Sequence, residues 1–105
     1  MIQVSVLYPN QANVHFDFDY YSRKHIEIVR ECLGKACKAI AVSRGLGGVV
    51  PGEAAPFIVI GHLYFDSMES FQQSFTPHAE RIMADIANFT DSQPLIQISA
   101  VELVH

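Results

Sequence analysis

Lysine and arginine are scarce in this chain of 105 residues, 7 against 11 aspartates and glutamates, which leaves a formal net charge of −4. Binding to a phosphate backbone rests on clustered cations, so neither nucleic acid nor an anionic membrane surface is expected as a partner. Cysteine is nearly absent too. Cys32 and Cys37 straddle the expected end of a helix and start of a strand, a spacing that suits neither a metal site nor a disulfide framework. Both are expected as reduced, mostly buried thiols. His25, His62 and His78 are scattered, with no carboxylate or thiol at ligand spacing, so no metal is expected. No apolar run reaches membrane-spanning length. Met1 leads directly into Ile2-Gln3-Val4-Ser5-Val6-Leu7-Tyr8, without a basic region or small-residue cleavage site, so a cytoplasmic location is expected. Gly45-Leu46-Gly47-Gly48 lacks the Lys-Ser/Thr and the helix start of a phosphate loop. Repeats and low-complexity segments are also missing.

Half of the positions are apolar, enough at this length for one core and one domain spanning residues 1–105. Ile2 to Tyr8 alternates with Gln3 and Ser5 and stops at Pro9-Asn10, the period and end of a half-buried strand. Asp17 suits the cap of a helix running from about Phe18 to Leu33, and Gly34 suits its end. A second strand is expected between Ala36 and Leu46, and a third over Phe57-Ile58-Val59-Ile60-Gly61-His62-Leu63-Tyr64-Phe65. Asp66, with Glu69 reaching back, reads as a capping box for a second helix. That helix has an apolar stripe of Met68, Phe71, Phe75, Ala79, Ile82 and Ile86. Pro77 lacks an N–H and clashes with the preceding turn, so a kink is expected near Thr76. A last strand is expected over Leu95 to Val104.

The order β-α-β-β-α-β predicts an α+β, ferredoxin-like fold: a four-stranded antiparallel sheet with both helices on one face. The third strand is apolar on both of its faces, and an uncovered apolar sheet face is a liability for a monomer. A second copy packed sheet to sheet under two-fold symmetry is the simplest cover, with a heteromeric partner as the alternative.

At helical spacing Phe18, Tyr21, His25, Ile28 and Cys32 fall on one stripe facing the sheet. An imidazole there must find a buried partner or border a cavity. With a wet neighbour it exchanges a proton near neutrality; otherwise it is a core histidine satisfied by Tyr21 or a backbone carbonyl.

Several stretches together resemble the EthD family: the early Tyr8-Pro9, Asp17-Phe18-Asp19-Tyr20-Tyr21-Ser22-Arg23-Lys24-His25, Leu33-Gly34, Tyr64-Phe65-Asp66-Ser67, and Asp85-Ile86-Ala87-Asn88-Phe89-Thr90-Asp91. The family takes its name from ethyl tert-butyl ether degradation. The resemblance implies a dimeric α+β barrel in which each subunit keeps a cleft between sheet and helices. Its superfamily spans isomerases, cofactor-free oxygenases and heme-degrading enzymes, so the fold leaves the chemistry open. Glu27 and Ala87 stand where similar members tend to carry proline.

His25 is therefore the candidate acid/base. Tyr21 and Tyr64 can offer hydroxyls that orient a carbonyl or enolate, or can serve as amphipathic packing. His62 faces either the helices or a partner, beside a Gly61 that marks a bulge or close backbone approach. Asp85, Phe89 and Thr90 either brace the late loop or contact a ligand, and Tyr20 is expected on the surface. Three functions fit. The first is a cofactor-free pocket acting on a small apolar or aromatic catabolic intermediate, by isomerisation or oxygenation of an activated carbanion. The second is a non-catalytic binding or accessory protein of a degradation pathway, and the third is a structural dimer whose cleft is self-filled.

Overall fold

A strand at the middle of the sheet organises the chain. In the computed structural model, which describes residues 1–105, β1 (Ile2–Pro9) lies between β3 (Phe57–Phe65) and β4 (Leu95–Ala100), while β2 (Ala39–Arg44) pairs with the other edge of β3. The order is β2-β3-β1-β4, and every pairing is antiparallel. The expected ferredoxin-like arrangement is what forms. β4 stops at Ala100 rather than Val104: Ala100 pairs with Ile2, and beyond it the Val101 N–H still reaches the Met1 carbonyl at 3.1 Å, where the partner strand runs out.

Register separates the two faces of the sheet. Val4 opposite Leu63, Val6 opposite Gly61 and Tyr8 opposite Val59 share the face covered by helices. Gln3 opposite Tyr64, Ser5 opposite His62 and Leu7 opposite Ile60 share the other, because successive side chains alternate across a strand. The helix-covered face carries the core: Val4 and Phe65 pack with Val29, Leu33, Phe71 and Ile82. Each such side chain, fully buried, contributes about 1.5–3 kcal/mol.

The first helical arm comprises α1 (Phe18–Tyr20), a π-helical turn (Tyr21–His25) and α2 (Ile26–Leu33). Asp17 caps it by accepting from the Tyr20 N–H at 3.0 Å, as its position implies. The wide turn, in which the Ile26 N–H reaches back to the Tyr21 carbonyl, corrects the expectation of an uninterrupted α-helix. It inserts one residue and so delays the helical phase by about 100°. The buried stripe consequently runs Tyr21, His25, Val29, Leu33, and the expected Ile28 and Cys32 shift to its flank, where they pack half-buried against the core. Gly34 ends the arm with a φ of +59°, a sign that side chains disfavour.

The second arm comprises α3 (Met68–Phe75), a 3₁₀ turn (Thr76–His78), α4 (Ala79–Asp85) and a terminal 3₁₀ turn (Ile86–Asn88). The break at Thr76 is the one Pro77 requires. The start differs by one residue from expectation. Ser67, not Asp66, is the cap, accepting from the Ser70 N–H at 3.1 Å, whereas Asp66 pairs with Lys38 at 3.5 Å. Both cysteines are half-buried and free. No helix is long and apolar enough to cross a membrane.

Candidate functional site

Between the sheet and the two helical arms lies a cavity of about 110 Å³. Strand residues Val6, Gly61 and Leu63 form its floor, and Val29, Ile82 and Ile86 its helical walls. Met83 and Ile96 also line it and are 41% and 46% exposed, so the opening lies between α4 and the edge strand β4. Its lining is apolar apart from three side chains, His25, Tyr8 and Tyr21.

His25 reaches the cavity from the end of the π-helical turn, on the buried stripe it shares with Tyr21, and the residue is only 4% exposed. Its Nδ1 lies 2.9 Å from Asp85 Oδ2. The other carboxylate oxygen of Asp85 accepts from the Tyr20 hydroxyl at 2.7 Å and from Asn88 Nδ2 at 2.9 Å. Below the imidazole, Phe89 packs with ring centroids 4.7 Å apart, and Tyr21 stacks on it at 5.7 Å. Nε2 is bonded to no protein atom, and no fully buried side-chain nitrogen or oxygen lacks a partner, so Nε2 borders free space.

Electrostatics fix the protonation pattern. Burial in apolar surroundings pushes His25 below its ordinary 6.5, and the hydrogen bond to Asp85 only partly opposes this. For Asp85, burial alone would raise the pKa, but hydrogen bonds from Asn88, Tyr20 and His25 together outweigh it and hold the carboxyl below its ordinary value. A carboxylate only accepts, so the neutral imidazole must carry its proton on Nδ1. The Nε2 lone pair is then left facing the cavity.

The tyrosines are as buried as the histidine, Tyr8 at 1% and Tyr21 at 2% exposure. Neither hydroxyl is bonded to a protein atom, yet neither is a sealed, partnerless group. Burial pushes the Tyr21 phenol up to about 12 and raises Tyr8 further, so both stay protonated. A Cβ at Gly61 would lie 2.7 Å from the Tyr21 oxygen. Glycine there is the close approach expected at that position, made by a side chain rather than a backbone.

Of the sequence-derived candidates, His25, Tyr21 and Asp85 come together here. Phe89 is a platform beneath His25 and not part of the cavity wall. Thr90 is a brace: its hydroxyl donates to the His15 carbonyl at 2.6 Å and accepts from the Ser92 N–H at 3.0 Å. His62 and Tyr64 do not join the cleft. Their strand positions point to the opposite face, where Gln3 Nε2 lies 2.8 Å from His62 Nδ1 and 3.3 Å from the Tyr64 hydroxyl. Tyr20, expected on the surface, is partly exposed and also donates its hydroxyl to Asp85. Tyr8 escaped notice in the sequence, although its even position in β1, in step with Val4 and Val6, is the signal that puts it on the covered face.

The EthD domain model matches residues 14–93. An EthD-like protein from Ralstonia eutropha JMP134 is 36% identical, with a TM-score of 0.93 over 99% of this chain and 94% of that one. An ethyl tert-butyl ether degradation (EthD) family protein from Bacillus halodurans C-125 is 22% identical, with a TM-score of 0.74 over 97% and 99%. A dimeric ferredoxin-like protein of unknown function from Thermobifida fusca YX shares the fold at 16% identity and a TM-score of 0.61, over 95% and 90%. Among curated proteins, none matches.

Proposed function

The chain belongs to the EthD family, and from that premise we propose that it binds a small apolar or aromatic compound in the cleft and that His25 exchanges a proton with it. The observation that carries this reading is the Asp85–His25 pair with its free Nε2 against an apolar cavity. Asp85 sets the tautomer and can stabilise the imidazolium formed when Nε2 takes a proton. Tyr20 and Asn88 in turn hold Asp85. The cavity of about 110 Å³ is of the order of the closed ~150 Å³ apolar space known to admit benzene, and it opens between Met83 and Ile96, which suits a compound with a single small ring. No step of such proton transfer calls for a cofactor.

The apolar lining also favours a second reading, a non-catalytic carrier that holds an intermediate of a degradation pathway in the same cleft. NMR titration with small aromatic and lactone compounds tests both. Ligand-induced shifts at Val6, Ile26 and Ile86 are expected, and their absence with every compound would sink both readings. Turnover of a bound compound should rise with pH through a value below 6.5, because His25 must be neutral and its pKa is depressed. It should vanish in His25→Ala. A compound that binds but is unchanged at every pH identifies the carrier.

The open sheet face supports a homodimer. Leu7, Ile58 and Ile60 lie half-buried on it, with Leu95 exposed beside them. Sheet-to-sheet packing of two copies would remove this apolar area from water, and the Thermobifida fusca relative is described as dimeric. Ile60→Glu places an unpaired charge in the middle of that face. Sedimentation should show a dimer for the parent chain and a monomer for the variant; a monomeric parent contradicts the assembly.

A further inference from the structure

Two phenols line an otherwise apolar cavity, and their hydroxyls bond to no protein atom yet stay accessible. Ordinary tyrosine packing leaves the hydroxyl either hydrogen-bonded or in bulk water. Tyr8 and Tyr21 do neither: the residues are 1% and 2% exposed, their hydroxyls bond to no protein atom, and the space those hydroxyls reach is the cavity. They are also neighbours. Their rings meet edge to face with centroids 5.8 Å apart, and Tyr21 stacks on His25. The Tyr21 oxygen fits over β3 only because residue 61 has no side chain. Two donors and one acceptor therefore converge on a space that is otherwise hydrocarbon.

We propose that the Tyr8 and Tyr21 hydroxyls form an oxygen-binding subsite, and that the compound taken in the cleft is a small cyclic carbonyl compound with an acidic C–H beside its C=O. This rests on the reading of the cleft as a small-molecule pocket with His25 as base. The carbonyl oxygen accepts hydrogen bonds from the two phenols while an adjacent carbon lies against His25 Nε2. Nε2 takes a proton from that carbon. The C–H electron pair becomes the C=C bond of an enolate, and the C=O π pair moves onto the oxygen, where the phenols stabilise the charge. Return of the proton from Nε2 to the same or a conjugated carbon restores the neutral imidazole. The sum is hydrogen exchange or double-bond migration, with no oxidant or reductant.

Cyclohexanone and methylenecyclohexane make a matched probe pair, one ring with C=O and the other with C=CH₂ in its place. The parent protein should bind cyclohexanone preferentially, and in the Tyr8→Phe/Tyr21→Phe double variant that preference should fall about tenfold, the loss of roughly one net hydrogen bond. The hydroxyls hold no protein group, so the double variant should fold with an unchanged or raised Tm. In D₂O the parent should also exchange the α-hydrogens of cyclohexanone, and His25→Ala should not. Equal binding of the two probes, or a preference that survives in the double variant, overturns the oxygen subsite while leaving the pocket standing. If neither probe binds, the pocket reading fails and the subsite with it.

Discussion

Asp85→Asn is expected to suppress proton exchange at His25 by about 10²- to 10⁴-fold while leaving the chain folded. The geometry makes this substitution more telling than deletion of the imidazole. The amide oxygen can go on accepting from the Tyr20 hydroxyl and Asn88 Nδ2, now 2.7 and 2.9 Å from Asp85 Oδ1. The amide nitrogen then replaces Oδ2, 2.9 Å from His25 Nδ1. An N–H in that place donates to Nδ1 and drives the imidazole proton onto Nε2. The cavity would then face an N–H instead of a lone pair. The α-hydrogen exchange of cyclohexanone in D₂O is the readout, with circular dichroism as the check on folding. Asp85→Ala differs in kind: it leaves the buried His25 Nδ1–H without its acceptor, while Tyr20 and Asn88 can turn to water, and should cost about 1–3 kcal/mol of stability. Unaltered exchange in Asp85→Asn would mean that the carboxylate braces the helix end and does nothing to the imidazole.

Phe89→Ala should be the most damaging truncation near the site, costing about 3–5 kcal/mol. Phe89 is fully buried, and its ring meets those of Tyr8, Phe16, Tyr20, Tyr21 and His25 at centroid distances between 4.7 and 6.3 Å. Against a total stability of about 5–15 kcal/mol for a domain, that loss is severe. Urea unfolding should show the midpoint falling with little change in slope. A loss under about 1 kcal/mol would mean that the aromatic cluster repacks, contrary to its role as the platform that seats His25.

The element order and fold were legible because the signals were local and strong. β1 and β3 alternate or run apolar between turn residues, Asp17 and Gly34 mark the ends of the first arm, and Pro77 forces the break in the second. What escaped reading depended on contacts between distant residues. The π-helical turn has no composition signal, yet it moves the buried stripe from Ile28 and Cys32 to Val29 and Leu33. Tyr20 lies off that stripe and so looked superficial. It is drawn in by Asp85, 65 positions along the chain. Strand parity was sufficient to assign Tyr8 to the covered face and His62 and Tyr64 to the other. It needed only the knowledge of which parity faces the helices, and that is given by the packing of Val4 and Phe65 against Val29, Leu33, Phe71 and Ile82.

The central claim is that Asp85 holds a neutral His25 with its Nε2 lone pair facing the cavity. Long-range ¹H–¹⁵N correlation of the imidazole at pH 7 tests it most directly. The account predicts a neutral ring with the proton on Nδ1 and an unprotonated Nε2, which becomes imidazolium only below pH 6.5. A ring protonated on Nε2 at pH 7, whether as the other tautomer or as imidazolium, would contradict it.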